Sequence, residues 1–256
     1  MLLPILYLLH FLHGLPQGFG QRLTSAADRA PSLPAAAKVY LLCVLVAAVA
    51  VAIMAVAAMP DVFDRGRFLG LACAAVLTAT WKIRLPRMRG TISGSFMILL
   101  LAIAEASLLE AIVLAAIAGL VQVLWSPKSR PTLPQVAFNA AALVISVGAA
   151  LSAARYAHPG SIAANIVIAG LILYAVDTMI VSTMLCLINH QGLSGVWRSC
   201  FFWSFPYYLV GAAAAGLMIA TTRAAGWYTA AAVLPVMALV WISYRLQLKR
   251  AVDQAA

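Results

Sequence analysis

Apolar residues run along this chain in long blocks, separated by short breaks rich in Gly, Pro and basic residues. A helix needs about 20 mostly apolar residues to cross a bilayer core of about 30 Å. By that measure the pattern predicts spanning helices over 39–59, 136–154, 162–188, 200–222 and 227–244, with a shorter one over 68–81. The apolar block 92–125 is interrupted by Glu105 and Glu110. As one straight helix it would reach about 50 Å. It therefore reads as a hairpin of two short arms, 92–104 and 108–125, either spanning or re-entrant. The predicted fold class is all-α: a polytopic transmembrane helical bundle of six to eight membrane segments.

Charge sets the expected orientation. Lys and Arg of short loops collect on the cytoplasmic side. With both termini inside, only Arg65, Arg67, Arg155 and Arg223 of the 17 basic residues fall outside. The inverted arrangement would reverse that asymmetry. The expected organisation is an N-terminal cytoplasmic or interfacial segment (1–37), the helical bundle (38–248) and a short cytoplasmic tail (249–256).

Composition closes off the other classes. The chain is 64% hydrophobic and 9% charged, against about 45–50% and about 25% for a soluble domain. No water-soluble fold of 256 residues hides that much apolar surface, and a disordered chain is excluded by the same figures. The formal net charge of +10 is divided among short loops facing anionic lipid, so no nucleic-acid partner is expected. Cys43, Cys73, Cys186 and Cys200 are scattered, show no CxxC pattern and read as small apolar residues. His10 and His13 would share a helical face but make an incomplete metal set. No metal and no cofactor is expected.

Ionisable groups within apolar segments are costly and therefore candidates for function. There are three acidic ones: Glu105, Glu110 and Asp177. Ser107 followed by Glu110 fits a capping box, which gives Glu110 a local structural role. Glu105 has none. Asp177 either bonds to another helix or meets a ligand or cation. Tyr174 sits one turn earlier, and Thr178 and Ser182 share a neighbouring face. Gln122 and Asn139, with Thr91, Ser93 and Ser95, would line a polar pocket with Glu105, or simply bond helix to helix. The stretch Trp197 to Gly211 is aromatic. Trp and Tyr gather at membrane interfaces, Pro206 permits a kink, and Tyr207 is a candidate for a pocket wall. The candidate ligand-binding set is Glu105, Asp177, Asn139, Gln122, Ser95 and Tyr207. No HExxH, GxSxG or paired catalytic acids occur, and the chain reads as a non-enzyme.

Several stretches carry a resemblance. They are Lys82-Ile83-Arg84-Leu85-Pro86 running into Gly90-Thr91-Ile92-Ser93-Gly94-Ser95-Phe96, then Glu110-Ala111, Val121-Gln122 and Phe138-Asn139. Near the end come Trp203-Ser204-Phe205-Pro206-Tyr207-Tyr208-Leu209-Val210-Gly211-Ala212 and Ser243-Tyr244-Arg245-Leu246. Over residues 38–249 the chain resembles the N-terminal membrane-sensor modules that precede HD-GYP phosphodiesterase or GGDEF diguanylate cyclase domains in bacteria. The resemblance implies a bacterial inner-membrane location and a signal passed to a cytoplasmic output domain. No HD-GYP or GGDEF residues are present, so no cyclic-dinucleotide chemistry carries over.

Two functions follow as expectations. One is a stand-alone sensor or adaptor that binds a small or lipidic ligand among its helices and relays to a separate cytoplasmic signalling protein. The other is a small-molecule transporter subunit, similar to the substrate-binding component of energy-coupled uptake systems. A purely structural membrane protein would show only stability effects on Glu105→Gln and Asp177→Asn. In each case the lipid bilayer is the first partner.

Overall fold

The computed structural model describes residues 33–58, 64–83, 92–125, 131–157, 160–190, 192–200 and 205–225. Most of the expected 1–37 segment, the helix expected over 227–244 and the tail lie outside the described residues.

Among the described residues the chain is helical apart from one two-residue pairing. Helix α1 is Ala35–Ala57 and α2 is Arg65–Thr80. Lys82–Ile83 (β1) pairs antiparallel with Ile92–Ser93 (β2), Lys82 opposite Ser93. Then follow α3 (Ser95–Glu105), α4 (Leu108–Leu124), α5 (Leu133–Ala157), α6 (Ile162–Asn189), α7 (Leu193–Cys200) and α8 (Phe205–Ala225). Three helices are long and apolar enough to cross a bilayer: Ala35–Ala57, Leu133–Ala157 and Ala163–Asn189. Ser95–Glu105, Leu108–Leu124 and Tyr208–Thr221 are apolar but shorter.

The hairpin forms where the sequence places it. Ser107 Oγ accepts from the Glu110 amide at 3.2 Å, and Glu110 Oε2 accepts from the Ser107 amide at 2.7 Å. That capping box satisfies two first-turn donors and starts α4. The first arm begins at Ser95 rather than 92, because Ile92–Ser93 is extended and paired with β1. Asp64 caps α2 by accepting from the Arg67 amide at 3.1 Å, and Ser161 caps α6 through the Ala164 amide at 3.2 Å. Of the helix expected over 200–222, Cys200 ends α7 and 205–222 fall in α8, and residues 201–204 lie outside the described residues. The amphipathic α7 comes first, and α8 begins at Phe205. Pro206 thus falls in a first helical turn, where a missing N–H costs no helical bond, and not at a kink.

Burial separates the helices into two kinds. In α3, eight of the 11 residues are buried, Phe96 and Ile98 to Ile103 among them. A helix apolar all round belongs inside, and α3 packs against α2, α4 and α8. In α1 the larger side chains Val39, Leu42, Val46, Val49 and Ile53 stay exposed, while Val44 and Ala48 face α5 and the core. Small residues allow the closest approaches. A Cβ on Gly119 (α4) would lie 2.8 Å from Ala140 Cα of α5. One on Gly211 (α8) would lie 1.8 Å from Phe96 Cζ.

The contacts also set the vertical register. Tyr40 near the start of α1 donates to the Ile180 carbonyl at 3.2 Å and lies beside Phe138, ring centroids 6.5 Å apart. Val51 touches the site of a Gly148 Cβ, Ala212 that of Gly170, and Ile166 that of Gly216. Hence α1 and α5 run in one direction, and α8 runs antiparallel to α6. The level of Tyr40 on α1 is the level of Ile180 on α6. Residues 181–189 of α6 therefore extend about 13 Å past the level of Tyr40, and about 6 Å past the start of α1, at 1.5 Å per residue.

Candidate functional site

Two polar groups form at opposite ends of α3. At its start, Ser93 and Ser95 hydroxyls lie 2.7 Å apart. The Gln122 side-chain amide reaches both, at 2.6 Å each. Lys82 Nζ donates to the Trp125 carbonyl at the end of α4. One turn before Gln122, Asn139 Nδ2 donates to the Gly119 carbonyl at 2.8 Å. These bonds join β2, α3, α4 and α5 and leave the hydroxyls satisfied among themselves.

At the other end of α3, Arg67 Nη2 meets Glu110 Oε2 at 3.4 Å. Glu110 is 4% exposed. Its Oε1 and the Arg67 Nε are buried without a hydrogen-bond partner. Glu105 ends α3 at this level and is half-buried. It stands ten residues from Ser95, about 15 Å along the helix. Glu105 and the Ser95–Gln122 group therefore do not line one pocket.

The third group joins α6, α7 and α8. Tyr208 OH donates to Asp177 Oδ2 at 3.3 Å. The Tyr208 ring packs on Phe96 at 4.7 Å and edge-on to Tyr174 at 5.0 Å. Tyr174 meets Phe205 edge-on at 5.4 Å and Trp197 at 6.4 Å. Trp197 Nε1 donates to Thr178 Oγ1 at 3.2 Å. Thr178 in turn donates to the Tyr174 carbonyl at 2.7 Å. Ser182, one turn further, is fully buried and its hydroxyl has no partner.

The local sequence explains this assembly. Tyr174, Asp177 and Thr178 share one face of α6 by the three- and four-residue spacing. The α6 chain ends at His190, a left-handed residue with φ 53°, which turns the backbone into α7. Val196 and Trp197 then fold back on α6, and Ser194, Gly195 and Arg198 stay exposed. Gly211 leaves room for the Phe96 ring beneath α8.

The residue on Asp177 is Tyr208, next to the expected Tyr207. Tyr207 is in α8, but its side chain lies outside the described residues. Trp197, Phe205 and Phe96 were not in the expected site. Their signal was aromatic content alone, which an interfacial belt shares. Asp177 lies near the centre of α6 in sequence, yet only one turn from Ile180 and the Tyr40 level. Trp203 and Thr91 lie outside the described residues.

Among the described residues no group of three or more His, Cys, Asp or Glu side chains is arranged to hold a metal ion. The arrangement around Asp177 offers one carboxylate, one phenol bonded to it and a wall of rings. The chain matches no protein-family model, no curated protein and no solved structure.

Proposed function

We propose that this chain is a multi-pass protein of the bacterial inner membrane, with both termini cytoplasmic, that works as a sensor or adaptor. It binds a small or lipidic ligand among its helices and relays to a separate cytoplasmic partner. Six to eight membrane segments make up the bundle, and 92–125 is a short hairpin within it, spanning or re-entrant; its first arm α3 has 11 residues, about 16 Å, against about 30 Å for a full crossing. The distribution of basic residues supports the orientation. Lys82 stands at the end of the three-helix unit α2–α4 read as inner, and Arg67 at the end read as outer.

One observation carries the sensor reading. The carboxylate of Asp177 is bonded to Tyr208 within an aromatic group toward the end of the bundle here read as cytoplasmic, and Trp197 of the amphipathic α7 is bonded to Thr178 beside it. A ligand there would touch α7, a cytoplasmic-face element, as well as α6 and α8. That is the contact a two-state relay requires, since a ligand shifts an equilibrium only through different contacts in the two states.

Transport is the second reading. Transporter sites lie near the bilayer midplane, whereas the register brings Asp177 close to one end. The test is crosslinking in the native membrane, followed by pull-down and identification of partners by mass spectrometry. Recovery of a kinase, cyclase or phosphodiesterase is expected. Recovery of an ATPase with its membrane coupling subunit would replace sensing with transport. Deleting 245–256 should abolish the relay and leave ligand binding intact.

A further inference from the structure

We infer that the Asp177 group is a binding site for a substituted ammonium cation. The inference rests on the ligand-binding reading above and adds the chemical class of the ligand.

Among the described residues Asp177 accepts one hydrogen bond, from the neutral phenol of Tyr208. Among the described residues no Lys, Arg or His pairs with it; the ion pair found there is Arg67–Glu110. A carboxylate in an apolar helix calls for a counter-charge. A hard metal ion is a poor candidate. Mg²⁺ and Ca²⁺ take six or more oxygen ligands, and among the described residues no group of three or more His, Cys, Asp or Glu side chains is arranged to hold a metal ion. Tyr208, which holds Asp177, belongs instead to a run of five neighbouring rings: Phe96, Tyr208, Tyr174, Phe205 and Trp197. Aromatic faces attract weakly hydrated cations, quaternary ammonium above all. A carboxylate set into an aromatic wall is the complement of a positive nitrogen dressed in carbon.

Phe205 opens α8 and is 37% exposed, while Tyr174 behind it is 6% exposed. Asp177 itself is half-buried. The site lies at the level where α8 begins and one turn inside the Tyr40 level, about 8 Å in from the level of Lys38, just beneath the lipid headgroups of a bundle entered there. An ammonium group reaches that depth either on a lipid headgroup or as a free solute. Trp197, held to Thr178 by its indole N–H, covers the site from α7, so occupancy would be felt by α7 directly.

The full chain, reconstituted in nanodiscs of phosphatidylglycerol, is tested by equilibrium dialysis with radiolabelled benzyltrimethylammonium and with its neutral isostere neopentylbenzene. Saturable binding of the cation over the isostere is expected. Asp177→Asn should weaken it by about thirtyfold or more, the loss typical of a buried charge partner. Asp177→Asn keeps an oxygen acceptor for Tyr208, and Trp197→Leu, which weakens binding while leaving the acid in place, covers the case in which Asp177→Asn fails to fold. Glu105→Gln should bind as the unaltered chain does. Weaker apparent binding in nanodiscs of phosphatidylethanolamine assigns the site to the lipid headgroup; equal binding assigns it to a free solute. Equal binding of the neutral isostere, insensitive to Asp177→Asn, would overturn the ammonium inference and leave a ligand-binding protein. Absence of binding by either probe would overturn both.

Discussion

The phenol of Tyr40 donates to the main-chain oxygen of Ile180 at 3.2 Å, joining residues 140 positions apart. This bond ties the start of α1 to α6 at a level well short of the α6 terminus. Tyr40→Phe removes it and keeps the ring beside Phe138. The expected loss of stability is about 0.6 kcal/mol, the average for interhelical bonds in a membrane protein. Unfolding of the purified protein in mixed micelles measures it. Ammonium binding should not change.

Arg67 and Glu110 differ in exposure, 39% against 5% for their side chains, and that asymmetry sets the order of their variants. Glu110→Gln preserves the capping box, since Gln serves at that position. Arg67→Met leaves a buried carboxylate without its cation, and should cost about 2 kcal/mol, more than Glu110→Gln. Ser107→Ala removes the cap and should cost about 1 kcal/mol. The same unfolding assay ranks the three. Equal effects of Arg67→Met and Glu110→Gln would mean that the pair is solvated.

Gly211→Ala places a methyl group inside the Phe96 ring. The ring is 5% exposed and has little room to yield. A loss of about 1–3 kcal/mol is expected from overpacking, with partial recovery in the double variant Gly211→Ala, Phe96→Leu. At Gly119 the obstacle is the backbone of Ala140. Gly119→Ala should be comparably costly, and Asn139→Ala should not rescue it.

Asn139 and Gln122 are satisfied by Gly119 and by Ser93 and Ser95. Their replacement by Ala should therefore lower stability by about 0.6 kcal/mol each and leave benzyltrimethylammonium binding unchanged. A binding defect in either variant would move the site toward the start of α3.

Local signals carried far in this chain. The Ser107–Glu110 capping box was legible because both its halves lie within one turn. The apolar blocks over 136–154 and 162–188 fell within three residues of α5 and α6 at each end. What depends on distant contacts was not legible. Counting along α6 makes Asp177 central, while its depth is set by Tyr40, Phe138 and the start of α8. The place of Tyr208 on Asp177 depends on the rotation of α8, which the contact of Gly211 with Phe96 helps to fix. The start of α8 at Phe205 was hidden because Pro206 serves equally at a kink or at a first turn.

The depth of Asp177 is tested most directly by nitroxide scanning of the outward face of α6. Val167, Leu171 and Met179 are all exposed. Each is replaced by a single labelled Cys after removal of the native thiols, and accessibility to oxygen is compared with accessibility to a polar nickel complex in a reconstituted bilayer. The register predicts the greatest depth near position 171 and an interfacial depth at 179, with Asp177 close behind it. Equal depths at 171 and 179 would put Asp177 at the midplane and contradict a headgroup-level site. Water exposure at all three positions would contradict a membrane-spanning α6.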